Sequence, residues 1–218
     1  MSEGIYLDND IVLKVCVYLA ASEFLHTTFA SGAPPAILAV ARYTLRSIFS
    51  RKAKYSPEAR EMLERILSAV RALEPTEEEI EAAADLEERA TAIGLEFDTG
   101  ESQLVSMAFR REALALLTGD KRAIRALSKI EPSSARHRIV CLEQVASQII
   151  TTFGLQPLRN NVCSSPQCDR AISICFQCNS PEIEIDTILC SLRSYTESLR
   201  GETAELLIPG NDLSSIVS

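Results

Sequence analysis

The chain has 218 residues, of which 46% are hydrophobic and 24% charged, and its formal net charge at pH 7 is −8. This is the composition of a globular protein, and a chain of this length buries enough surface to fold without disulfides or metal. The acidic balance argues against non-specific coating of nucleic acid, which needs a basic surface, but it does not exclude a nuclease with a carboxylate-rich metal site. The sequence has no apolar run of the roughly 18 to 20 residues that cross a bilayer and no signal-peptide pattern, so we expect a cytoplasmic protein without a membrane partner.

The first half of the chain is predicted to begin with one strand and to continue in helices. Residues 4–8 are apolar and β-prone, which predicts a buried strand with its carboxyl end at Asp8. Ser56 before Pro57 is typical of a helix start, and Thr76 with Glu79 forms a capping-box pattern. Helices are predicted over residues 11–29, 36–49, 57–73 and 77–93.

In the second half strands and helices alternate. The predicted elements are helix 100–111 with Thr99 as its cap, strand 113–118, helix 121–130, strand 138–142, helix 143–153, helix 169–178 and helix 183–200. Alternation of this kind implies right-handed crossovers and a parallel sheet covered on both faces. We therefore predict an α/β domain over residues 1–153 and a helical C-terminal extension, residues 154–218, packed on it.

Three acidic residues lie where such a sheet collects polar groups. Asp8, Glu101 and Asp120 each come at or just after the carboxyl end of a predicted strand, and those ends meet at one edge of a parallel sheet. Phosphodiester hydrolysis by two divalent cations needs three or four carboxylates, because each ion keeps oxygen ligands and leaves room for water and phosphate. Spacing alone does not establish that the fold gathers them.

The segments that carry these residues resemble the acidic motifs of PIN-domain ribonucleases. They are residues 6–14 (YLDNDIVLK), 98–103 (DTGESQ) and 117–123 (LTGDKRA), in the order that this family has them. The likeness covers roughly residues 4–150. It implies a Rossmann-like three-layer fold with a short parallel sheet and an endoribonuclease dependent on Mg²⁺ or Mn²⁺.

The resemblance also implies roles for individual residues. Asp8, Glu101 and Asp120 would bind the metal and, with Asp10, form the catalytic set. The family usually has a further glutamate on the helix after the first crossover, where this chain has AVARYTL at residues 39–45 and no carboxylate. Asp10 would supply the missing oxygen, or the site has lost a ligand and the protein is a catalytically weak PIN-like module that binds RNA or a protein.

Each acidic residue also has an ordinary structural explanation. Asp10, Asp98 and Asp120 stand where helix N-caps favour aspartate, and Glu101 in a first helical turn is favoured by the helix dipole. Asp8 is the hardest to explain in this way, because a buried carboxylate is costly unless it is paired or bound to metal.

Basic residues supply the candidates for RNA contacts. Phosphate contacts would give affinity without sequence specificity. The set is Lys14, Arg51, Lys52, Lys121 and Arg122. Lys14 lies one helical turn after Asp10, so a simple ion pair between them is the favoured interpretation. By analogy with the family, a protein inhibitor and a homodimer formed through the apolar helices of residues 10–50 are further expected partners.

The seven cysteines are expected to be reduced thiols, because their number is odd and no secretory signal is present. Four of them, Cys163, Cys168, Cys175 and Cys178, have a spacing that allows zinc, and a zinc-stabilised interaction protein is a third hypothesis. We regard zinc as unlikely, because the segment around Cys175 has the pattern of an amphipathic helix and buried cysteine behaves as a small apolar residue.

Overall fold

The computed structural model describes residues 4–29, 33–51, 55–180, 182–203 and 205–216. Within them five strands form one parallel sheet in the order β3-β2-β1-β4-β5. The strands are β1 (Ile5–Leu7), β2 (Ala36–Leu38), β3 (Arg71–Leu73), β4 (Ala115–Thr118) and β5 (Ile139–Cys141). All but the edge strand β3 are buried throughout, as expected for a parallel sheet covered on both faces.

Helices cover the sheet in two layers. They are α1 (Asn9–Val17), α2 (Ala21–Thr28), α3 (Ala39–Arg51), α4 (Pro57–Ala69), α5 (Glu77–Ala92), α6 (Thr99–Arg110), α7 (Lys121–Ile130), α8 (Pro132–Ala135), α9 (Leu142–Phe153), α10 (Gln156–Ser164), α11 (Arg170–Cys175) and α12 (Ile185–Glu202). Helices α1 to α4 pack with one another and with α9, whereas α5 packs on α6 and α7. With right-handed crossovers these groups occupy opposite faces, which confirms the predicted α/β class with helices flanking a parallel sheet.

The order of the strands creates a switch point between β1 and β4. The chain moves from β1 outward through β2 to β3, and then crosses to β4 and continues to β5 on the other side. At such a point the two connections leave in opposite directions and open a crevice at the carboxyl ends of the strands. Asp8 directly follows β1 and Thr118 ends β4, so both stand at this crevice.

Several predicted boundaries are wrong, and strand length is the main reason. Strands β2 and β3 lie within the segments predicted as helices 36–49 and 57–73, because three apolar residues are too few to show a period. The predicted helix 11–29 is divided into α1 and α2 at Leu19, whose φ of 51° cannot continue a helix. The cap of α6 is Asp98, whose side chain accepts from the Glu101 N–H, so Thr99 is the first helical residue.

The segment after residue 153 is more than a set of helices. Helix α10 lies between the predicted helices 143–153 and 169–178, where no element was predicted, and α12 packs on α9. Residues 206–208 then run beside β5, where Ile139 donates to the Leu206 carbonyl at 3.0 Å and accepts from Ile208 at 2.9 Å. The extension thereby adds to the edge of the sheet, while the division of the chain at residue 153 stays a prediction.

Two further predictions concern cysteines and membranes. Cys163 and Cys178 form a disulfide, so the expectation of reduced thiols is wrong for this pair. The remaining cysteines are free thiols, as predicted. In the described part of the chain no helix combines the length and apolar character that would let it span a membrane.

Candidate functional site

Asp8 is the most deeply placed carboxylate at the crevice. Its side chain is the N-cap of α1 and accepts from the Asn9 N–H at 2.6 Å, while the Thr118 hydroxyl donates to its other oxygen at 2.9 Å. Only 9% of the residue is exposed. Burial raises the pKa of Asp8 to about 6, with the charge of Asp10 adding to the rise and the hydrogen bond from Thr118 opposing it. The sheet thus holds a carboxylate where its ionised form is disfavoured unless a cation is near.

Glu101 lies near Asp8 but on α6, which covers the other face of the sheet from α1. It is the third residue of α6 and forms a capping box with Asp98, whose backbone N–H donates to Glu101 at 3.2 Å. The pKa of Glu101 is raised to about 7, chiefly by burial and in part by the charges of Asp98, Asp8 and Asp120. Asp8 and Glu101 also line the same small cavity of about 20 Å³, whose remaining walls are mostly apolar. These observations bring the first two predicted metal ligands together.

Asp120 completes the predicted triad but is engaged differently. It is the N-cap of α7, as the structural explanation requires, and accepts from the backbone N–H of Arg122 at 2.7 Å. The Arg122 guanidinium donates to its second oxygen at 2.9 Å. Burial raises the pKa of Asp120, but the hydrogen bonds and charge of Arg122 together with the Ala123 N–H outweigh it, so the pKa is lowered overall. Asp120 is therefore ionised beside two carboxyls whose pKa values are raised.

Asp10 is held by Lys14. The Lys14 ammonium lies 2.7 Å from Asp10, 2.8 Å from Asp169 and 3.0 Å from the Gly119 carbonyl. The ammonium is thus paired with two carboxylates and donates to one carbonyl, so its charge is already compensated within the protein. The predicted ion pair is confirmed, and it places the Lys14 ammonium among protein groups, which argues against the predicted RNA contact. Burial raises the pKa of Asp10 and Lys14 opposes the rise, which favours an anchoring role for Asp10 over that of a fourth metal ligand.

Gly119 is required by this packing. A Cβ at this position would lie 2.5 Å from the Asp10 carboxylate and 3.0 Å from the Lys14 ammonium, which is closer than real Cβ contacts. The glycine in the segment 117–123 therefore allows the turn after β4 to approach α1. That approach is what brings Asp120 and Asp10 to the same edge.

An open groove of about 470 Å³ leads to the carboxylates. Glu101 and Asp120 line it together with Asp98, and α7 contributes basic side chains. These are Arg122, Arg125 and Lys129, which the i, i+3 and i+7 spacing places on one side of the helix. Arg125 and Lys129 were not among the predicted RNA contacts, although their helical spacing from Arg122 is visible in the sequence.

The other predicted RNA contacts lie in different places. Arg51 ends α3, a helix of 13 residues that runs back along the sheet from the carboxyl end of β2. Arg51 therefore lies toward the amino ends of the strands. Lys121 forms an ion pair with buried Glu143 and lies 5.3 Å from the centre of the Tyr195 ring. Arg122 stays near the site and its side chain is 81% exposed. Lys52 lies outside the described residues.

Metal-binding chemistry is present at the site, but a finished coordination shell is not. Carboxylate oxygens are the ligands that Mg²⁺ and Mn²⁺ prefer, and Asp8 and Glu101 offer them with raised pKa values. Within the described ranges no three His, Cys, Asp or Glu side chains stand in an arrangement that could hold an ion. The disulfide also takes two of the four sulfurs that a zinc site would need.

Comparison of the chain with protein-family models, with curated proteins and with solved structures finds no match.

Proposed function

We propose that this protein is an endoribonuclease of the PIN type that hydrolyses phosphodiesters with Mg²⁺ or Mn²⁺. The observation that carries the proposal is the position of Glu101, which lines one cavity with Asp8 and the neighbouring groove with Asp120, and whose pKa is raised in part by the charges of both. Two carboxyls with raised pKa values in an apolar setting are typical of functional sites. The order of the acidic motifs along the chain supports the same conclusion.

The proposed roles follow from the position of each group. Asp8, Glu101 and Asp120 would hold the divalent cation, which supplies charge neutralisation and an activated water when bound. Glu101 stands at the groove and can take up a proton near neutral pH, because its pKa is about 7. Arg122, Arg125 and Lys129 along the groove would contact phosphates, giving affinity without sequence specificity.

The proposal is tested by measuring cleavage of short single-stranded RNA in the presence of MnCl₂ or MgCl₂. Asp8→Asn and Glu101→Gln are expected to lower the rate at least ~100-fold, and EDTA to abolish it. Asp85→Asn, at an exposed position in α5, is the matched control and should cleave as the native protein does. Cleavage that persists in EDTA, or equal activity of the native protein and Asp8→Asn, would refute the proposed metal-dependent nuclease function.

A second candidate is a PIN-like module that binds RNA or protein with weak or no catalysis. The absence of a three-ligand arrangement among the described residues favours it, as does the engagement of Asp120 by Arg122. RNA binding without cleavage under the same conditions, together with no Mn²⁺ binding in calorimetry, would establish this alternative.

A further inference from the structure

One charged residue of the C-terminal extension contacts a residue of the candidate site. Asp169 is the N-cap of α11 and its carboxylate lies 2.8 Å from the Lys14 ammonium. The two side chains are 12% and 11% exposed, so the pair is shielded from solvent. The contact joins residues 155 positions apart in sequence, and the intervening chain passes through most of the sheet.

Lys14 transmits this contact to two parts of the site at once. The ammonium also lies 2.7 Å from the Asp10 carboxylate and donates to the Gly119 carbonyl at 3.0 Å. Gly119 directly precedes Asp120, so the orientation of the ammonium determines the turn that presents Asp120 to the groove. Two ion pairs and one hydrogen bond restrain the ammonium from three sides, and without the Asp169 charge it could shift toward Asp10 or turn to water.

The segment that carries Asp169 is itself firmly attached. The Cys163–Cys178 disulfide encloses it, and the Arg159 guanidinium donates to the carbonyls of Gln177 and Ser180 at its end. Asp169 also accepts from the Ile172 N–H at 3.0 Å, which fixes its rotamer. A carboxylate on so constrained a turn is suited to hold a partner in place.

We propose that Asp169 is a positioning residue of the catalytic site, which holds Lys14 so that Asp10 and the Gly119–Asp120 turn keep their places. This inference rests on the proposed nuclease function. It implies that the C-terminal extension is part of the site, and that removing one charge from it slows cleavage without touching any metal ligand.

Asp169→Asn tests the proposal, because asparagine caps helices as well as aspartate and so preserves α11 while removing the charge. We expect RNA cleavage to fall about 10-fold through kcat, with KM nearly unchanged. Asp169→Glu, which restores the charge one methylene further out, should recover part of the rate. Asp186→Asn, at an exposed position in α12, is the control within the same extension and should be without effect.

Hydrogen–deuterium exchange of the same variants separates failure of this inference from failure of the proposed function. Asp169→Asn is expected to speed exchange in residues 118–122 at least ~5-fold relative to Asp186→Asn, with unchanged exchange in β3. Native-like cleavage in Asp169→Asn overturns the positioning role while the nuclease stands. If the native protein does not cleave RNA, the proposed nuclease function is refuted. Unchanged exchange at residues 118–122 in Asp169→Asn would then overturn the positioning role as well. Faster exchange there would show that Asp169 still holds the turn in place.

Discussion

Replacing Asp8 with asparagine should stabilise the metal-free protein at neutral and alkaline pH. The pKa of Asp8 rises from 3.8 to about 6 on folding, chiefly because the carboxyl is buried. A raised pKa means that the folded state binds the proton more tightly than the unfolded chain does. The ionised carboxylate therefore lowers stability as pH rises between these two values, and the loss is complete above the folded pKa.

The size of the effect follows from the shift. Each pKa unit corresponds to 1.36 kcal/mol, so the free energy of unfolding of Asp8→Asn should exceed that of the native protein by about 3 kcal/mol at pH 8. At pH 4 the gain should be under ~1 kcal/mol, since the carboxyl is then largely protonated in the fold. Asparagine keeps an acceptor for the Asn9 N–H or the Thr118 hydroxyl, so these contacts change little.

Urea denaturation in EDTA at pH 4, 6 and 8 measures this difference, with Asp85→Asn as the exposed control. Adding Mn²⁺ at pH 8 should narrow the gap, because a cation that binds the native carboxylate stabilises the folded state by mass action. An Asp8→Asn variant that is less stable than the native protein at pH 8 would refute the reasoning. It would show that the hydrogen bonds of the carboxylate outweigh its burial.

Two further pairs of substitutions test the close approach at Gly119 and the disulfide. Gly119→Ala should destabilise the protein by about 1 to 3 kcal/mol in urea denaturation, because its Cβ would overlap Asp10, whereas Gly201→Ala in α12 meets no atom within 4 Å and should stabilise it by about 0.5 to 1 kcal/mol. A neutral Gly119→Ala would contradict the close approach of the turn to α1. Cys163→Ser should lower the free energy of unfolding by about 3 kcal/mol under non-reducing conditions, because the disulfide spans 15 positions. Cys190→Ser, at an exposed free cysteine, is the control and should leave stability unchanged. Equal stabilities of the two variants would argue against the disulfide.

The fold could be predicted from the sequence wherever an element was long or capped. Helix α7 begins and ends as predicted, and α5 begins at its capping box, because local hydrogen bonds decide these ends. Strands β2 and β3 could not be predicted, since they owe their conformation to pairing with neighbours rather than to local pattern. The strand order, and with it the switch point, follows from those pairings.

The site could be predicted in part for a related reason. Asp8, Glu101 and Asp120 were found because each stands next to a strand end or a helix start, which the sequence shows directly. Asp169 was missed because its partner lies on α1, far away along the chain, and its local pattern is only that of a helix cap. Contacts that depend on tertiary packing leave no local signal.

The partners of each carboxylate indicate which of them a cation could use. Asp120 is bound by the Arg122 guanidinium, whose side chain is 81% exposed, and an ion pair open to water and salt is readily exchanged for a metal. Asp10 is bound by Lys14 in a largely buried ion pair, so turning Asp10 toward a cation would break a contact that is shielded from water. We therefore expect Asp120 to join Asp8 and Glu101 at a bound cation more readily than Asp10. We also expect that Asp10 does not replace the carboxylate absent from residues 39–45, and that the proposed site would use three acids next to a buried lysine.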